Sequence, residues 1–245
     1  MYLVKFDLSD IMEKYFNFEN KEHDIPYYNH NPRLSKSAWI VLLSTIILSF
    51  LCYGLFEGIS ELLASAIFCA VMLVPLMYYS NWDISLILRK PTKSEIKLAI
   101  LLFIGYMAYA LIMNGVMNIF LGSNTGTSST EFVVNVEFII SLIFSMMGEE
   151  LVKFIPFAFL MRLIYKGTNN RKLSITISTA IILVFFGLIH YDFQTSIISV
   201  LLLQGLGSTF EFYGYIKTKN LFVPYLSHIL TDAVIFTLIL FGLAV

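Results

Sequence analysis

Charge is scarce in this chain. Of its 245 residues only 13% are charged and 58% are hydrophobic, with a mean hydropathy of +0.77, a balance that ordinary soluble domains do not keep. Cysteine is nearly absent: Cys52 and Cys69 each sit within an apolar run, which excludes a disulfide framework and reads as two buried free thiols. There is no basic tail to hold nucleic acid and no internal repeat. At the N-terminus no cationic stretch leads into an apolar one, so no cleavable signal peptide is expected.

Long apolar runs are present in number. A hydrocarbon core of about 30 Å needs roughly 20 apolar residues of helix, and runs of that kind fall at 38–56, 62–79, 98–121, 138–165, 173–190, 195–210 and 221–244. The chain is therefore expected to be all-α, a polytopic membrane bundle of about seven transmembrane helices. Residues 1–37 form a polar extension before the membrane domain of 38–245. Lys and Arg gather before the first run (Arg33, Lys36), between the second and third (Arg89, Lys90, Lys93, Lys97), between the fourth and fifth (Lys166, Arg171, Lys172) and between the sixth and seventh (Lys217, Lys219). The intervening loops have none. That alternation predicts a cytoplasmic N-terminus and an external C-terminus. The stretch GSNTGTSSTE, residues 122–131, is expected to be a flexible external loop. Usage rich in Ile, Lys and Asn is that of an AT-rich Gram-positive bacterium, so the expected location is the plasma membrane.

Against this background MGEELVKF, Met147 to Phe154, stands out, because it puts two carboxylates and an ammonium in mid-span. Each ionisable group at bilayer depth costs roughly 2.5–3.5 kcal/mol on insertion scales, so such groups face a protein interior or a wet cavity and commonly carry function. Glu149 and Glu150 are i,i+4 and i,i+3 from Lys153, which can neutralise one of them locally. A structural ion pair would account for one glutamate and leave the other in need of a partner on another helix. Arg162, one turn from Lys166, can snorkel to the interface. Glu137, Asp192 and Glu211 are read as flanking span ends. His190 remains, with His228 and Asp232, which lie i,i+4 on one face of the last span.

A diacid, two histidines and an aspartate from three spans suit the activation of water. A carboxylate and an imidazole share the role of general base, and a second imidazole stabilises the oxyanion of a tetrahedral intermediate. The same groups could ligate a divalent metal, but no H-E-x-x-H or comparable spacing occurs, so no cofactor is expected.

At these residues the sequence resembles the CAAX-protease and bacteriocin-processing family of intramembrane glutamate-dependent proteases, abbreviated CPBP or Abi. That family's Glu-Glu, Phe-x-x-x-His and His-x-x-x-Asn/Asp motifs correspond here to Glu149-Glu150, to Phe186 through His190 in FGLIH, and to His228 through Asp232 in SHILTDA. The resemblance covers a core of about 135–240. It implies that Glu149 and His190 activate the attacking water, that Glu150 supports the site, and that His228 with Asp232 forms the oxyanion side. It also implies a membrane-associated protein or peptide as substrate, with bacteriocin maturation or self-immunity as the physiological setting. The arginine usual five residues after the first glutamate is Phe154 here, with Lys153 one residue earlier, and E-E-x-x-K resembles the PrsW-type membrane proteases. Lysine lacks arginine's planar fork, and an ionised Asp232 cannot donate to an oxyanion, although it can orient His228.

Two other readings stand beside the endopeptidase. One is a non-catalytic member of the same fold that binds and regulates a membrane partner such as a sensor kinase. The other is a transporter using the acids as a proton relay, for which no half-helix break or inverted repeat is visible. One geometric expectation is awkward: the boundaries above place His190 toward the external end of its span and His228 about two turns from the cytoplasmic end of its own.

Overall fold

A computed structural model describes residues 18, 23–29, 31–121, 134–192 and 195–242. The loop at 122–131 lies outside the described residues, as does most of the N-terminal extension. Among the described residues all regular structure is helical: α1 (Lys36–Phe56), α2 (Glu61–Tyr79), α3 (Lys93–Leu121), α4 (Val136–Thr168), α5 (Arg171–Ile189), α6 (Ile197–Val200) leading directly into a π-helical stretch (Leu201–Leu206), α7 (Thr209–Thr218) and α8 (Phe222–Leu240). Among the described residues six helical stretches are long and apolar enough to cross a membrane: α1, α2, α3, α5, the stretch from Ile197 to Thr218, and α8; α4, expected as a seventh span, is long enough but carries too many charged residues to count among them. α4 runs for 33 residues and is the helix that carries the diacid.

The helix starts are written locally. Ser35, Ser60, Asn135 and Asn170 each accept a backbone N–H from the first turn of the helix that follows, which satisfies a donor that the helix itself cannot. Thr92 and Glu95 close a reciprocal capping box, with Thr92 N donating to Glu95 Oε2 at 2.8 Å and Glu95 N to Thr92 Oγ1 at 3.2 Å. α4 ends on Asn169 in the left-handed conformation (φ 51°), and Asn170 at once caps α5, so the two helices form a tight antiparallel hairpin.

α4 is the axis of the bundle. It packs against α1, α2, α5 and α8, while α3 lies against α7, α8 and the π stretch. Its N-terminal end is tied to that of α2 by Glu137, which accepts from Ser60 Oγ at 2.6 Å. Gly148 lets α2 approach, since a Cβ there would lie 2.3 Å from the Phe68 ring. α5 meets the π stretch backbone to backbone at Gly187 and Gly205, where an added Cβ would come within 3.0 Å of the facing main chain.

Two expectations are corrected. The sixth span does not stop near residue 210: a helix continues through Glu211 to Thr218, with a π-helical break that an apolar run does not betray. Lys219 is not a surface flank either. It is fully buried, its ammonium donates to the carbonyls of Ile216 and Phe18, and Arg89 holds the carbonyls of Thr218 and Lys219 at 2.9 Å each. Asn220 Oδ1 accepts from Arg89 N at 3.0 Å. The turn into α8 is thus sunk inside the protein, and this raises His228 along the bundle.

The Gly187–Gly205 crossing has a direct test. Gly205→Val should lower stability by about 1–3 kcal/mol, as overpacking against rigid backbone does, and should lower the unfolding temperature in detergent. Gly58→Ala, whose Cβ would meet nothing, should leave it unchanged.

Candidate active site

Adjacent residues on a helix point about 100° apart, so Glu149 and Glu150 face different surroundings. Glu150, with a side chain 1% exposed, turns inward, and its Oε1 takes Lys153 Nζ at 2.6 Å and His228 Nδ1 at 2.9 Å. Lys153 Nζ also bonds Glu211 Oε2 at 2.7 Å and sits 4.5 Å from the centre of the Phe186 ring. This inner layer is dry. Glu149, at 24% exposure, faces outward instead, with Oε2 lying 3.7 Å from His228 Nε2 and 3.9 Å from His190 Nε2. Asp232 Oδ2 is 3.9 Å from His228 Nε2. Separations of this size are too long for direct hydrogen bonds and suit a single bridging water.

His190 and Glu149 meet because of the hairpin. Glu149 precedes Asn169 by as many residues as His190 follows Asn170, about 30 Å of helix on each side, so the two come level. His228 joins them because its helix starts from the buried turn at Lys219. The depth mismatch expected from the sequence is therefore absent. His190 Nδ1 lies 2.7 Å from the Phe186 carbonyl; a carbonyl only accepts, so Nδ1 carries the hydrogen and Nε2 of the neutral ring is left to accept. By the same logic His228 Nδ1 donates to Glu150.

All seven residues singled out from the sequence, Glu149, Glu150, Lys153, Phe186, His190, His228 and Asp232, are thus gathered around one centre. Phe154 is not part of it. It packs in the core against Tyr215 and Tyr27, with ring centroids 5.4 and 6.2 Å away, so the cation beside Glu150 is Lys153.

One further residue belongs to the centre. Glu211, read from sequence as a span-end residue, is buried on α7 and holds Lys153; the signal for it was an acid inside the aromatic stretch TFEFYGYI. Tyr106 of α3 fits over Gly207, where a Cβ would strike its ring at 2.7 Å, and stands edge-on to Phe210 of α7, ring centroids 6.4 Å apart.

A metal can be weighed against this geometry. Glu150, Glu211 and His228 offer ligand atoms within 4.8 Å of one another, but the Lys153 ammonium already lies between the two carboxylates. A divalent ion would have to displace it.

Fold and site together define a multi-pass helical membrane protein with a carboxylate–imidazole centre among its helices. A family model described as Rce1-like, type II CAAX prenyl endopeptidase, matches residues 131–234, the stretch that holds both glutamates and both histidines. That segment is therefore similar to the Rce1-like endopeptidases over rather less than half of the chain. No curated protein and no solved structure matches the chain.

Removing Lys153 would leave two buried carboxylates facing each other. Lys153→Met should cost about 3–5 kcal/mol, read as the loss of a cooperative unfolding transition in detergent, whereas Glu211→Gln, which can keep a hydrogen bond to the ammonium, should cost less.

Proposed function

We propose that this protein is an intramembrane endopeptidase that hydrolyses a peptide bond of a membrane-associated protein or peptide with a water activated by Glu149 and His190. The observation that carries this reading is that Glu149 Oε2 stands within 3.9 Å of both histidine Nε2 atoms in a partly exposed layer, beside a buried layer built on the Lys153 ammonium. A water there can donate one hydrogen to Glu149 and the other to His190 while its lone pair faces the scissile carbonyl.

Attack transfers the water proton to Glu149 and pushes the carbonyl electrons onto oxygen. The oxyanion side is His228 with Asp232. The inner layer holds two carboxylates to one ammonium, and a protonated His228 supplies the balancing charge; its Nδ1–H stays on Glu150 and its Nε2–H faces the oxyanion. Asp232, 3.9 Å from that nitrogen, orients the ring through a bridging water. Collapse breaks the C–N bond as Glu149 returns its proton to the leaving amine, which gives a carboxylic acid and an amine with no acyl-enzyme; the acid then loses its proton to solvent. Lys153 takes the place of the arginine found elsewhere in the family, with Glu211 supplying the second hold that a planar fork would otherwise provide. The catalytic core spans about 135–240 of the 38–245 membrane domain, and the N-terminus is cytoplasmic in the plasma membrane. No cofactor enters the reaction.

The test uses the full chain in liposomes with a pool of membrane-anchored peptides, read by mass spectrometry. Glu149→Gln and His190→Ala should each reduce cleavage by about 100-fold or more with unfolding temperature retained, and chelators should leave the rate unchanged. Equal cleavage by wild type and both variants rejects the reading in favour of a partner-binding role.

A further inference from the structure

Two buried hydrogen-bond donors at one end of the bundle have no partner. Trp39, in the first turn of α1, is only 4% exposed, and its Nε1 makes no hydrogen bond. Its ring packs on Phe159 of α4, centroids 5.4 Å apart. One turn further along α4 comes Arg162, whose Nη1 is also buried and unpartnered. Arg162 as a whole is half-buried, and Nη1 is the part of its guanidinium that is enclosed. An indole N–H and a guanidinium are both donors only, so neither can satisfy the other.

Arg33, just before α1, is a further cation of this segment. Asp24 is the one acid among the described residues of the N-terminal segment, and it is already taken, by Arg171 Nη2 at 2.7 Å, by the Tyr28 hydroxyl at 2.9 Å and by the backbone of Ile25 at 2.8 Å. Buried polar groups almost always find partners, and leaving one unmet costs about 1–3 kcal/mol. The junction of α1 and α4 is short of an acceptor and carries surplus positive charge. Its immediate neighbours are apolar and outward-facing: Ile40, beside Trp39, is 67% exposed and Leu163, beside Arg162, is 58% exposed. An acceptor arriving there comes from the lipid side.

We propose that the α1–α4 junction binds the phosphodiester of an anionic phospholipid, with Arg162 and Trp39 donating to its oxygens, Arg33 adding charge, and the acyl chains lying along Ile40 and Leu163. Arginine matches phosphate geometry, basic pockets between spans bind anionic headgroups, and tryptophan favours the headgroup level. The site lies about 20 Å along α4 from Glu149, so it stands or falls independently of peptide hydrolysis.

The test compares full-length protein in nanodiscs of phosphatidylcholine with and without phosphatidylglycerol, by native mass spectrometry and thermal unfolding. Wild type should retain phosphatidylglycerol and unfold at higher temperature with it. Arg162→Leu should lose both effects and be no less stable than wild type in pure phosphatidylcholine, because an unmet donor has gone. Trp39→Phe should weaken retention, and Lys172→Gln, at an exposed lysine of the same end, should not. Retention by Arg162→Leu and Trp39→Phe equal to wild type overturns the site. Stabilisation by inorganic phosphate alone, to the same extent as by the lipid, overturns the lipid as occupant.

Discussion

The Lys153 ammonium, held between Glu150 and Glu211 in a fully buried layer, is the contact on which the centre rests. Three helices meet through it: α4 gives the lysine and one acid, α7 the other, and α8 joins through the His228 hydrogen bond to the same Glu150 oxygen. Buried ion clusters are weak sources of stability compared with apolar packing, but they punish any arrangement that separates their members. Here that penalty ties the break between α6 and α7, the buried turn before α8 and the middle of α4 into one geometry. The partly exposed Glu149 and His190 are placed as a by-product of it.

The adjacent glutamates illustrate how little sequence distance says about environment. One residue of offset turns the first carboxylate toward imidazoles and solvent and the second toward an ammonium in the dry interior. The same offset explains why lysine can stand where it does. Lys153, i+3 from Glu150, falls on the inner face, whereas Phe154 rotates away into an aromatic cluster with Tyr27 and Tyr215.

Much of this was legible beforehand. Apolar length marks out the helices, since nothing else of that composition is stable in lipid, and ionisable residues inside them are few enough to identify the centre. Glu211 was missed for a physical reason: an apolar run ends where charge begins, yet a helix does not, so an acid buried against a lysine looks like a boundary. Lys219 misled in the same way, because a cation beside a span reads as a surface flank, while here backbone carbonyls satisfy it inside the protein. The π-helical stretch leaves no mark in hydropathy; its purpose shows only where Gly205 touches Gly187 and where the Tyr109 hydroxyl, at 2.8 Å, bonds the Leu202 carbonyl.

The hairpin of α4 and α5 acts as a ruler. Because Glu149 and His190 are measured off in equal lengths from the Asn169–Asn170 bend, one residue gained or lost on either arm would slide acid past imidazole by about 1.5 Å and swing it by about 100°. Length variation is therefore tolerable in the outer connections of this protein but not between Glu149 and His190, and that spacing is a more stringent signature of a working centre than the identity of any residue lying between them.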